Sequence, residues 1–325
     1  MTKLLELLFL GNIKGFGKAK INKYLKKVEA AENIDQLTSD IQAEIRIPVE
    51  DIETAKDKAK QDFEKLTQQK DLKIITVFDV EYPRGFDSLG MKKPAILYAK
   101  GDITVLNRPG ISVVGSRHPS SWTMRFGENI SKQIGLRTKR TIVSGLAIGC
   151  DRLAHEGALL AGCPTIAVLP SGVNNIIPAS HKELANEIVK KGGCLISEYQ
   201  PDTKAFNASY VDRDRLIAAM TDITFVIECL ETGGTMHTVN AAYKMKRRLA
   251  CYYPKESDFF SRKALEKDYL GNKKIIDEMG ATVVSDENEL EKVLEPAEKI
   301  GEETDDKNDI EPYQFTLSGY MEGVN

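Results

Sequence analysis

The residues with most to offer chemically lie in short turns, each following an apolar run. The first run, ISVV, ends in Gly115-Ser116-Arg117 and enters a helical stretch after Ser120-Ser121. Glycine permits a tight turn and close approach of a ligand, and the following helix presents free N–H groups at the positive end of its dipole. Arginine adds a planar fork that fits phosphate oxygens. Alone, such an arginine is usually just solvated. Yet similar turns recur. Ser144 to Asp151 reads SGLAIGCD, Pro170-Ser171-Gly172 ends a third run, and Glu228 leads into Thr232-Gly233-Gly234-Thr235 after a fifth. In an open parallel sheet all these strand ends share one edge, where small and hydroxyl residues leave a groove for an anion. Glycines that merely end strands would explain one or two such loops, but not the set. The G-x-G-x-x-G fingerprint is absent after the first run, which counts against an ordinary NAD enzyme. No cofactor is expected.

Other candidates carry a blander reading beside the sharp one. Asp151 and His155 stand four apart on one helix face, either as a catalytic or metal pair or as a cap and a packed histidine; the second is preferred. His118, His181 and His237 lack metal-ligand spacing, so no metal site is expected. The run Lys244, Lys246, Arg247, Arg248 fits DNA contact or a solvated helix end equally well. Trp122 is read as helix packing before base stacking. The five cysteines (150, 163, 194, 229, 251) form no CxxC pair and read as buried reduced thiols.

These turns need a scaffold, and the pattern supplies one. Apolar runs ISVVGS, TIVSG, TIAVLPSG, CLISEY, ITFVIE and RLACYY alternate with helical stretches at 125–136, 152–161, 182–190, 213–220 and 239–246. A last unit has a helix at 273–279, the strand ATVVS and a helix at 287–294. The expected fold class is α/β, a Rossmann-like parallel sheet with helices on both faces, preceded by a small all-helical module. The expected domains are a helical module at 1–70, a connector packing on the core at 71–110, the Rossmann-like domain at 111–295 and an acidic flexible tail at 296–325. The connector contains a strand near Lys73–Phe78 and the run Ala95 to Tyr98.

With 325 residues, 42% hydrophobic and 29% charged, the composition is that of a globular protein. No run approaches the roughly 18 apolar residues of a membrane span. The first residues lack a cleavage site of the signal-peptide type, so a cytoplasmic location without membrane contact is expected. The net charge of −3 hides an asymmetry. Lys14, Lys18, Lys20, Lys23, Lys26 and Lys27 make the start basic, whereas 286–311 is strongly acidic. The N-terminal lysines read equally as duplex-backbone contacts and as a solubilising face.

In their order, GSR, VSGLAIGCDRLAHEGAL, IAVLPSG, LISEY, DRDRLIAAM and the Gly-Gly-Thr loop resemble the DprA/Smf family of DNA-processing proteins. Upstream, EYPRGFDSLGMKKPAILYAKGD is similar to that family's connector. GNIKGFGKAK looks like the helix-hairpin-helix turn of its SAM-like domain, and the likeness covers about residues 5–295. It implies single-stranded DNA binding without catalysis, homodimerisation and loading of the RecA recombinase in DNA uptake or recombination. It also implies site residues: Arg117 as leading phosphate contact, with Gly115, Ser116, Ser144, Gly145, Gly233, Gly234 and Thr235 lining the groove. Lys182, Arg213 and Arg215 add cations, while Asp151, His155 and Glu228 are structural motif residues. Two segments depart from the family's pattern. Ile177-Pro178-Ala179-Ser180-His181 stands where Tyr-Pro-x-x-Asn is usual, and Asp214 replaces an asparagine between Arg213 and Arg215, where its carboxylate would pair both arginines and weaken DNA contact. No counterpart of the winged-helix domain of many relatives is expected in the short acidic tail. The runner-up is a nucleotide-binding or nucleotide-cleaving protein similar to the lysine-decarboxylase-like (LOG) family, although Met236-His237-Thr238 breaks that family's P-G-G-x-G-T-x-x-E pattern. A third reading is a DNA-binding component of a mobile-element or phage-defence system, its acidic tail holding a protein partner.

Overall fold

Apolar runs of four or five residues without alternation are stable as strands only when helices cover both faces. A computed structural model describes residues 3–255, apart from 43, 45 and 46, and residues 265–293. Among these, β1 (Lys73–Thr76), β2 (Ile96–Gly101), β3 (Gly110–Val114), β4 (Thr141–Ser144), β5 (Thr165–Val168), β6 (Cys194–Ser197), β7 (Ile223–Val226), β8 (Arg248–Tyr252) and β9 (Thr282–Val284) form one sheet. Its order is β1-β2-β6-β5-β4-β3-β7-β8-β9. From β6 to β9 every pairing is parallel, while β1 and β2 close one end antiparallel. Segment 71–110 therefore packs on the core by becoming part of the sheet.

Helices α1 (Leu4–Asn12), α2 (Lys18–Lys23), α3 (Leu25–Ala30), α4 (Ile34–Gln42) and α5 (Val49–Thr67) precede the sheet. Their Leu7, Leu10, Leu37 and Ile52 share one apolar cluster with Tyr98, Ala167 and Leu195 of the strands. Between strands run α6 (Ser121–Thr138), α7 (Cys150–Leu160), α8 (Lys182–Lys190), α9 (Asn207–Ala219) and α10 (Thr235–Lys244), followed by α11 (Leu265–Asp268) and α12 (Leu270–Met279). Ile130, Ile134 and Ala154 of α6 and α7 pack with Ile111, Val113 and Phe225. Leu216, Ile217 and Val239 of α9 and α10 pack with Val114, Val143 and Val226. Successive strand residues thus feed opposite layers.

Helices α6, α7, α9, α10 and α12 all begin earlier than periodicity suggested. Helix α6 starts at Ser121, because Ser120 accepts the Thr123 N–H at 3.3 Å as its N-cap. Helix α9 starts at Asn207, where the Ser209 hydroxyl and the backbone of Phe206 exchange hydrogen bonds. The helix expected at 287–294 is a 3-10 turn over Glu287–Val293, and the acidic tail at 296–325 lies outside the described residues. No described helix is long and apolar enough to cross a membrane. All five cysteines are buried and free.

The topology places the site. From β3 the chain steps through β4 and β5 to β6, then crosses back to β7 on the other side of β3. At this switch point the chain leaves β3 toward β4 and β7 toward β8, so the turns after Val114 and Val226 lie side by side at the carboxyl edge, the place where open α/β sheets hold ligands in a crevice.

Candidate nucleic-acid interface

Three loops meet at the carboxyl edge, and their backbones are tied together. Ser116 N donates to Glu228 O at 2.7 Å, and Cys150 N donates to Ser116 O at 3.0 Å. Gly115 is required by this closeness: a Cβ there would stand 2.6 Å from Cys150 Sγ and 2.8 Å from Glu228 O. Ser116 Oγ accepts from His118 N at 3.1 Å, which shapes the turn.

The N-terminus of α6 does not receive a ligand. Glu228, 2% exposed, turns its carboxylate into that end. Ser120 N donates to Oε1 at 2.8 Å, and the hydroxyls of Ser120 and Thr123 donate to Oε2 at 2.6 Å each. The anion site that a strand-turn-helix unit offers to phosphate is filled by the protein's own carboxylate. Glu228 is thus a helix cap reached across the switch point.

Arg117 remains outside this network. Its side chain is exposed, and its guanidinium lies 4.9 Å from the ring centroid of Tyr210 on α9. That contact leaves the edges of the fork open to an anion while the ring holds the plane. Phe206, one turn before Tyr210, is 48% exposed and packs edge-on against Tyr199. Neither Tyr210 nor Phe206 was singled out from sequence. Across the switch point, α10 begins at Thr235 with Gly234 as an N-cap that supplies no side-chain hydrogen bond. A Cβ at Gly234 would meet nothing, so this loop is open to solvent.

The two other expected arginines are turned inward. Arg213 is 4% exposed; its Nη1 donates to Val168 O at 2.8 Å, and its Nε stands 3.0 Å from Asp214 Oδ1. Gly145 makes that path possible, since a Cβ would lie 1.6 Å from Arg213 Nη1. Arg215 binds Glu198 at 2.6 Å, and the same carboxylate oxygen holds Lys18 of α2 at 3.0 Å. Lys18 also reaches Asp212 at 3.0 Å. Arg213 and Arg215 are therefore internal ties, and Asp214 pairs Arg213 alone rather than both arginines. Lys18 and Lys27, the latter paired with Glu44 at 2.5 Å, are likewise committed within the fold.

Ser144 is buried and donates to Val113 O at 2.7 Å. Lys182 is exposed at the start of α8, beyond the β4 loop, where neighbouring His181 is held by a 2.9 Å hydrogen bond between Nδ1 and Leu146 O. Asp151 accepts from Ala147 N at 3.3 Å. Burial raises its carboxyl, against the pull of Arg213. Burial also pushes Asp214 up to about 6, Arg213 opposing and Asp151 reinforcing the shift. His155 is fully buried, and desolvation takes it down to about 3, so it is neutral. Thr165 Oγ1 gives its proton to Ile142 O at 2.8 Å, so His155 Nδ1 donates to Thr165 at 2.8 Å. Asp151 and His155 thus lock the β4–α7 corner. Among the described residues no three His, Cys, Asp or Glu side chains converge as a metal site.

Residues 73–295 match the model of a family described as DNA recombination-mediator protein A. The DNA processing protein DprA of Bacillus subtilis (strain 168) is 30% identical over 183 residues, 56% of this chain and 61% of that protein. Protein Smf of Escherichia coli (strain K12) is 33% identical over 156 residues, 48% of this chain and 41% of that protein. The chain thus spans about half the length of these curated relatives. The X-ray structure of DNA processing protein A from Streptococcus pneumoniae superposes with a TM-score of 0.62 at 23% identity, covering 90% of this chain and 92% of that one. A structure of DNA processing protein A from Helicobacter pylori, described for its unique single-stranded DNA binding mode, gives a TM-score of 0.58 at 24% identity, covering 68% of this chain and 96% of that one.

Proposed function

The chain belongs to the DNA recombination-mediator protein A family, and from that premise we propose that it binds single-stranded DNA at the carboxyl edge of its sheet, without catalysing a reaction there. The observation that carries this reading is Arg117: a cation on the crevice rim, exposed and stacked on Tyr210, beside buried arginines that are already paired. A guanidinium beside an aromatic face matches one phosphate and one unstacked base, the repeating pair of single-stranded nucleic acid. The open turn at Gly233, Gly234 and Thr235 and the exposed Lys182 extend the surface along the strand. The Helicobacter pylori relative, described by its single-stranded DNA binding mode, supports the same ligand class.

Binding is favoured over nucleotide cleavage because the two groups that would perform chemistry are occupied. Glu228 accepts three hydrogen bonds and His155 is neutral and sealed. Homodimerisation and hand-over of the strand to a RecA-type recombinase belong to the same proposal and rest on the family resemblance. The test is titration of the full chain with labelled oligo-dT against AMP as competitor. The expected result is oligonucleotide binding that AMP displaces only weakly and no release of adenine. Base release from AMP, or equal affinity for mononucleotide and oligonucleotide, would overturn the reading.

A further inference from the structure

The opposite edge of the sheet, where the strands begin, carries a denser set of cations than the crevice. Arg108 precedes β3, Arg140 precedes β4, and Arg247 and Arg248 introduce β8. Asp222, before β7, sits among them. The register places these starts side by side, with Gly110 opposite Thr141 and Ile223 opposite Arg248. Adjacent strands lie ~4.8 Å apart, so the row from β4 to β8 is about 15 Å long. Lys139 and Lys246 flank it at the ends of α6 and α10.

Charge in this row is poorly compensated. Asp222 serves two guanidiniums, Arg140 at 2.7 Å and Arg248 at 3.7 Å. Arg247 has a buried Nε without a hydrogen bond, as Arg213 Nε and Arg215 Nη1 are at the other edge, and its Nη2 reaches Ser88 Oγ and Ala219 O only at 3.5 Å. Burial holds Arg247 and Arg248 below the ordinary arginine range. The ends of α6, α9 and α10 contribute roughly half a negative charge each, which is less than the three charges of the exposed Arg108, Lys139 and Lys246.

Two features separate this row from an ordinary solvated surface. Lys139 and Lys246 both adopt left-handed backbone, with φ of 54° and 55°. Glycine or asparagine fills such helix-end positions at lower conformational cost, yet a long cation occupies each. Tyr243, 50% exposed, stands three residues before Lys246 on the last turn of α10 and offers a ring to a base.

We propose that this amino edge is a second nucleic-acid surface, which takes the sugar-phosphate backbone of another DNA segment while the Arg117 edge holds the first. A row of this length matches about four phosphates at the ~3.4 Å rise of one strand. Strands of four or five residues separate the edges by only about 15 Å, so a long oligonucleotide can reach both. The site lies apart from the crevice and does not depend on Arg117.

The variant that tests it combines Arg108→Gln, Lys139→Asn and Lys246→Asn; asparagine tolerates the left-handed backbone, and all three side chains are exposed. Wild type, this triple variant and Arg117→Ala are titrated with short and long oligo-dT across salt, and with vesicles containing phosphatidylglycerol. Expected for the triple variant are an unchanged thermal midpoint, unchanged short-oligonucleotide affinity and at least tenfold weaker long-oligonucleotide binding. Its salt slope should fall by about two, at ~0.7 per lost phosphate contact. Long-oligonucleotide binding equal to wild type overturns the proposal, as does absence of DNA binding, or a loss confined to the vesicles. An effect of Arg117→Ala that is missing on short oligonucleotides would instead strike the carboxyl-edge reading alone.

Discussion

Arg213 and Arg215, at the carboxyl edge, and Arg140 and Arg248, at the amino edge, are all largely withdrawn from water, but they are satisfied differently. At the carboxyl edge Arg213 faces Asp214 and a carbonyl, and Arg215 faces Glu198, so each guanidinium has a carboxylate. At the amino edge two guanidiniums share Asp222. The first arrangement braces a crevice from which Arg117 projects. The second leaves charge facing outward. Counting arginines in a motif therefore says little about where phosphate goes; the carboxylates reachable from each arginine decide it.

If the carboxyl edge is braced by internal charges, substitutions there should act on stability first. Glu228→Ala leaves Ser120 N and two hydroxyls without their acceptor and should cost about 3 kcal/mol or more in chemical denaturation. Glu228→Gln, which keeps one acceptor oxygen, should lose less. A neutral outcome for Glu228→Ala would mean that the α6 end is open to ligands after all. Gly145→Ala drives a methyl into the Arg213 guanidinium and should cost about 1–3 kcal/mol. An unchanged unfolding midpoint would show that Arg213 can swing out of the crevice wall, erasing its difference from Arg117.

The third expectation concerns pH. Asp214 has its folded value pushed up to about 6 by burial. A carboxyl raised on folding binds more protons in the folded state, so stability falls as pH rises from about 4 to about 6. Asp214→Asn removes that fall, and its stability should gain on wild type across the window. Parallel curves would contradict the assignment. In the same window wild type should bind oligo-dT a few-fold more tightly at the acid end, because the neutral carboxyl no longer opposes phosphate near Arg117. Asp214→Asn should show a smaller change, so the effect is read as the difference between the two proteins.

Much of the fold was legible because its strands are unbroken apolar runs separated by helix-length gaps. Arg117 was legible too, since a glycine-serine-arginine turn after a buried strand is a local pattern. What escaped is non-local. Glu228 caps a helix whose N-cap, Ser120, lies 108 residues earlier in the chain, and no local spacing encodes that pairing. Arg213 looks like a surface cation until Gly145 is seen to clear a path for it. Asp214 fits between two arginines in sequence, yet neighbouring side chains on α9 point to different partners, and Arg215 finds Glu198 instead. Tyr210 becomes part of the site only because the sheet brings α9 beneath the turn after β3. The amino-edge row is dispersed over residues 108, 139, 140 and 246–248, visible as one surface only after the strands are ordered.

The most direct measurement is the salt dependence of short oligo-dT binding by wild type and Arg117→Ala. With Arg117 as the exposed phosphate contact of the crevice, Arg117→Ala should bind at least tenfold more weakly, with a salt slope shallower by ~0.7 and an unchanged thermal midpoint. Affinity and slope equal to those of wild type would contradict the central assignment.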